Sequence, residues 1–136
     1  MRYLLLIHRN EDSAAAVSDQ EMEENIARAW SVIDEMTKQG VFRGADPLEP
    51  STTAATVRVR DGKALTTDGP FAETKEQLAG YFIVDCKNIG EAIAWAGQLP
   101  ICGTGEGCVE VRAIRELPAR PGTLRFSWTT FSKCGS

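Results

Sequence analysis

A chain of 136 residues, 43% hydrophobic and 25% charged, holds enough material for one domain with its own core and no need of disulfide or metal staples. Its net charge of −4, from 15 basic and 19 acidic residues, repels phosphate backbone, which excludes nucleic acid as an expected direct partner. Cys86, Cys102, Cys108 and Cys134 lack both the C-x-x-C spacing of zinc sites and the density of a secreted disulfide scaffold. Reduced structural thiols are therefore expected, with a Cys102–Cys108 link across a glycine loop as the oxidised alternative.

The chain opens with an apolar run from Tyr3 to Ile7, a strand with apolar residues on both faces and too short for a signal core or a bilayer span. Arg9, Glu11 and Asp12 separate it from Ala14-Ala15-Ala16, the only faint likeness of a cleavage site, so a cytoplasmic protein without membrane contact is expected. Ser18-x-x-Glu21 is a capping box. It predicts a helix with Met22, Ile26, Ala29, Trp30, Ile33 and Met36 on one stripe, ended by Gly40. Val41 to about Gly44 begins a second strand. Residues 56–60, Thr-Val-Arg-Val-Arg, alternate cleanly, and Asp61-Gly62 turns them tightly into Lys63-Ala64-Leu65-Thr66, a hairpin with one polar face.

Asp68-Gly69-Pro70-Phe71 then sets an acid, a φ-permissive glycine, a φ-locked proline and an aromatic anchor in a row, a bend that presents one carboxylate rigidly. The run Thr67-Asp68-Gly69-Pro70-Phe71-Ala72-Glu73-Thr74-Lys75-Glu76, followed by Gly80-Tyr81-Phe82, closely resembles the signature of the YCII-related family whose members carry a DGPF motif. The resemblance covers Met1 to about Ile114 and implies the dimeric α+β barrel group. It places a domain over residues 1–115 and leaves 116–136 as a C-terminal tail, either an arm across a partner or a flexible end.

Thr74-x-x-Gln77 is read as a short helical turn before an apolar strand from Gly80 to Asp85. Asn88-x-x-Glu91 caps a further helix with Ile89, Ala92, Ile93, Ala96 and Leu99 inward, stopped by Pro100. Cys108 to Ile114 is the last strand. Gly103-Thr104-Gly105-Glu106-Gly107 enters a strand instead of a helix and carries an acid, the reverse of a dinucleotide fingerprint. Without the hairpin, the order is that of an α+β fold, the ferredoxin-like β-α-β-β-α-β antiparallel sheet with both helices on one face. Two helices cover one side only, so the two-sided strands imply a homodimer packed sheet to sheet, an expectation the family resemblance shares.

For chemistry, Asp68 is either a general base or acid at the mouth of a dimer cleft or a turn acid whose carboxylate accepts backbone N–H groups. Gly69, Pro70 and Phe71 would frame a ligand there, and Glu73 and Lys75 would form its charged rim or simply a solvated turn. His8, the single histidine, lies on the parity of Leu4 and Leu6 and either shuttles protons with Asp68 or packs as a bystander. Other branches of the family place a histidine in or near the first helix; this helix has none, so their suspected reaction does not carry over. Arg58 and Arg60 share a hairpin face that is either an anion grip or an outward surface. No metal or cofactor site can be composed from one histidine and unpaired cysteines. Two functions follow. One is a small cofactor-independent acid–base enzyme, of isomerase, lyase or hydrolase type, acting on an unidentified small molecule. The other is a non-catalytic module that binds a small ligand or a protein, the latter suggested because DGPF-type proteins resemble companions of alternative sigma factors.

Overall fold

In the computed structural model, which describes residues 1–100 and 107–122, strand β1 (Arg2–Arg9) lies inside an antiparallel sheet between β5 (Gln77–Asp85) and β6 (Gly107–Ala113). Strand β2 (Phe42–Pro47) closes the other edge, giving the order β2-β5-β1-β6. With helices α2 (Asp19–Lys38) and α3 (Ile89–Ala96) as the two crossovers, this is the ferredoxin-like α+β arrangement. Strands β3 (Ala55–Arg60) and β4 (Lys63–Asp68) form the separate hairpin. Its turn residues Asp61 and Gly62 take φ of 51° and 75°, the two positive values a type I′ turn demands.

The core lies on one face of the sheet. Tyr3, Leu5, Phe82 and Val84 alternate inward from the two central strands, α2 meets them with Val32 and Met36, and α3 lies against β1 and β6. The opposite face carries Leu4 beside Ile83 and Leu6 beside Tyr81, all half-buried. Ion pairs rim it: the Met1 amine to Asp85 at 3.1 Å, Arg43 to Asp85 at 3.4 Å and Arg2 to Glu116 at 3.3 Å.

Several expectations are corrected. Asn10 caps an unforeseen short helix, α1 (Glu11–Ala15), its side-chain oxygen accepting from Asp12 and Ser13 N–H. In α3 the inward face is Ala92, Trp95 and Ala96, with Leu99 buried just after the helix, whereas Ile89 and Ile93 are half exposed. The alanines let the helix come close to the sheet and the indole fills the space beside them, which rotates the buried face away from the isoleucines. Residues 74–77 form no helical turn. The Thr74 hydroxyl donates to the Glu76 carbonyl, and the Gln77 amide donates to the carbonyls of Ala72 and Thr74, which holds the segment in bends leading into β5. The Cys102–Cys108 link, the glycine loop before Gly107 and the tail beyond Gly122 lie outside the described residues. No helix among the described residues is long and apolar enough to cross a membrane.

Candidate functional site

A cavity of about 770 Å³ opens between α2 and the sheet. Its roof is the N-terminal half of α2, where Met22, Ile26, Ala29 and Trp30 fall on successive turns of one stripe. Its floor includes Phe42 and Phe82, packed edge to face with ring centroids 6.4 Å apart. Small residues across from the helix, Gly44, Ala45, Ala79 and Gly80, leave the hollow unfilled. Gly80 has a further reason to be glycine. A Cβ there would stand 2.9 Å from the Asp46 carbonyl oxygen and 3.2 Å from Pro47 Cα, because β2 runs so close to β5 at this point.

The lining also includes polar residues, Arg9, Asn10 and Asn25 among them. Arg9 follows Ile7 on the inward parity of β1, and Asn25 interrupts the apolar stripe of α2. Among the described residues Arg9 makes no ion pair and donates no hydrogen bond, and the Asn25 amide is likewise unbonded. The rim beside them is tied by Glu11, whose carboxylate accepts from the Ser51 hydroxyl and, at 2.7 Å, from the Ser51 N–H. These two bonds, with a smaller contribution from the Arg9 charge, hold the Glu11 carboxyl below its ordinary range. Asp46 also borders the cavity, but its carboxylate accepts the Tyr81 hydroxyl at 2.6 Å on the opposite parity of the sheet, a bond that raises the phenol's pKa.

None of the candidate catalytic or ligand-binding residues named from the sequence lines this cavity. Asp68 ends β4 and is exposed. The bend after it is held by backbone and a threonine: Gly69, at φ 95°, donates to the Ala54 carbonyl at 2.6 Å and accepts the Thr56 hydroxyl at 2.8 Å. The Asp68 carboxylate itself makes no hydrogen bond among the described residues. Pro70 is half-buried, Phe71 is 81% exposed, and Glu73 and Lys75 stand in solvent. Arg58 and Arg60 are exposed on the hairpin. His8, although flanked by two cavity residues, points to the other face, with Nε2 3.4 Å from a Glu110 carboxylate oxygen. No group of three or more His, Cys, Asp or Glu side chains placed to hold a metal ion occurs among the described residues. Cys86 is buried and its thiol is pushed upward by desolvation, which makes it a poor nucleophile. Arg9 and Asn25 were missed although each carried a signal, a polar residue at a position whose periodicity is apolar.

Comparison with known proteins gives a matching picture. The model of the YCII-related domain matches residues 1–118. An uncharacterised protein of Rhizobium meliloti (strain 1021) is 36% identical over 125 residues, which span 91% of this chain and 98% of that protein.

Proposed function

The chain belongs to the YCII-related family, and from that premise we propose that it binds a small organic molecule in the cavity beneath α2. One observation supports this above the others: a largely apolar hollow of about 770 Å³ with a few polar residues in its wall, the form typical of small-molecule sites. Ala29→Trp tests it. The indole would fill the cavity from the helix side, so ligands that stabilise the parent protein in a thermal-shift screen should lose their effect while the variant's own fold persists. Unchanged ligand responses in a folded variant would place binding elsewhere.

We further propose a homodimer in the cytoplasm, formed by the sheet faces that carry Leu4, Leu6, Tyr81 and Ile83, because two helices leave that face to another partner. Light scattering at micromolar concentration should give twice the 14.8 kDa chain mass. A monomer would refute it.

A second reading, the acid–base enzyme, draws support from Asp68, a carboxylate left unbonded on a bend that backbone contacts hold. It would act with His8 as proton partner, Gly69, Pro70 and Phe71 as support, and Glu73 and Lys75 as rim. Asp68→Asn should then leave stability unchanged and abolish turnover of any substrate the protein converts. A loss of about 1–3 kcal/mol in stability without change in turnover would make the bend architecture only.

A further inference from the structure

We infer that the cavity selects a carboxylate: its occupant is an amphipathic monocarboxylate whose apolar body lies under α2 and whose head group meets Arg9. This rests on the cavity being the ligand site, and it names the class of ligand. The apolar walls favour a hydrocarbon or aromatic body but do not distinguish an acid from an alcohol or amide of the same shape. Arg9 does. Arg9 is one of the wall residues, it is half-buried, and no described side chain pairs with it through an ion pair or a hydrogen bond. A planar fork of donors in such a place matches a carboxylate through two parallel hydrogen bonds. Asn25, across the cavity on α2, supplies a second kind of donor from its unbonded amide.

The acids nearby do not cancel this preference. Glu11, whose carboxyl feels the Arg9 charge, turns its oxygens to Ser51 and so offsets part of that charge without occupying the guanidinium's donors. Asp46 lies opposite Tyr81 on β2, whereas Arg9 lies opposite Gln77 on β1. Two strand spacings and about four residues of strand put them roughly 15 Å apart. That exceeds the screening length of about 8 Å at physiological salt. The overall charge of −4 acts at longer range still, so the local guanidinium decides what the cavity accepts.

The test compares 4-phenylbutyrate with its neutral amide, and octanoate with octanamide, on the full chain, with binding read by calorimetry and by the fluorescence of Trp30 in the cavity wall. Each acid should bind the parent protein at least about tenfold more tightly than its amide, as a charge-assisted pair requires. Arg9→Gln should bring the acids down to the level of the amides and leave the amides unchanged, while Arg9→Lys should keep part of the preference. Equal binding of acid and amide to the parent protein, blocked by Ala29→Trp, would overturn the carboxylate preference and leave the cavity as the site. Binding of either probe that survives Ala29→Trp, or no binding of any of the four, would overturn the cavity reading and this inference with it. Should Arg9→Gln not fold, the comparison of acid with amide on the parent protein still decides.

Discussion

The two halves of α2 carry one continuous apolar stripe and put it to opposite uses. Towards the C-terminus Val32 and Met36 close on the sheet, with Met36 wholly inaccessible. Towards the N-terminus Met22, Ile26 and Trp30 keep 40%, 50% and 60% of their surface and border the cavity. What differs is the far wall. The closed half shares its core with Leu5 and Val84, whereas the open half shares its cavity with Gly44, Ala45, Ala79 and Gly80, too small to reach the helix. Hydrophobic periodicity identifies which face of a helix turns inward; side-chain volume across from it decides whether that face becomes core or container.

Truncation at the two ends should expose this difference most strongly. Met36→Ala removes packing from a filled core and should lower unfolding stability by about 2–5 kcal/mol. Ile26→Ala, at a site already half exposed, should cost less than about 1 kcal/mol and instead weaken ligand binding. Urea denaturation of both variants measures the contrast. Equal losses would mean that the open half is core after all.

Gly80→Ala sharpens the comparison from the floor of the cavity. The added methyl group meets backbone on β2, which cannot rotate aside as a side chain would, so β2 must move or the sheet must strain. We expect a loss of about 1–3 kcal/mol together with reduced ligand affinity, measured by the same denaturation and by calorimetry with 4-phenylbutyrate. A variant as stable as the parent would show that β2 tolerates displacement at Pro47.

Much of the framework was legible from local signals that tertiary contacts had no reason to override. The Ser18 and Asn88 caps, the Asp61-Gly62 turn and the two-sided strands β1 and β5 all stand as read, because cap and turn chemistry act within a few residues. The inward face of α3 was misread because the largest aliphatic residues were expected inside, whereas Ala92 and Ala96 set how close the helix comes. The cavity was not legible at all. It arises from the absence of volume at glycines and alanines on different elements, and no single sequence window contains those positions. Arg9 and Asn25 are legible in principle as polar breaks in apolar patterns, but each is a single residue, whereas the wording around Asp68 is a continuous motif. That bend is built as its residues suggest, with Gly69 in the left-handed region, yet it lies apart from the hollow.

The smallest effect concerns acid. Among the described residues two carboxyls are held below their ordinary pKa: Glu11 at the open end, chiefly by the Ser51 hydroxyl, and Asp85 at the closed end, chiefly by the hydrogen bond from the Met1 amine. A carboxyl whose pKa falls on folding adds stability that is complete above its unfolded value, near 4.5 for Glu11 and 3.8 for Asp85. That stability is lost as the pH drops through the lower folded value, since protonation is then favoured in the unfolded chain first. The melting temperature should therefore decline below about pH 4, modestly because both groups are exposed. Glu11→Gln and Asp85→Asn should each flatten part of that decline. The two differ in their second readout, which returns to the contrast between the ends of α2. Because the Glu11–Ser51 bonds anchor α1, which borders the cavity through Ala14, Glu11→Gln should also alter the affinity for 4-phenylbutyrate, and Asp85→Asn should leave it unchanged. An affinity indifferent to Glu11 would mean that the rim stands without this tie.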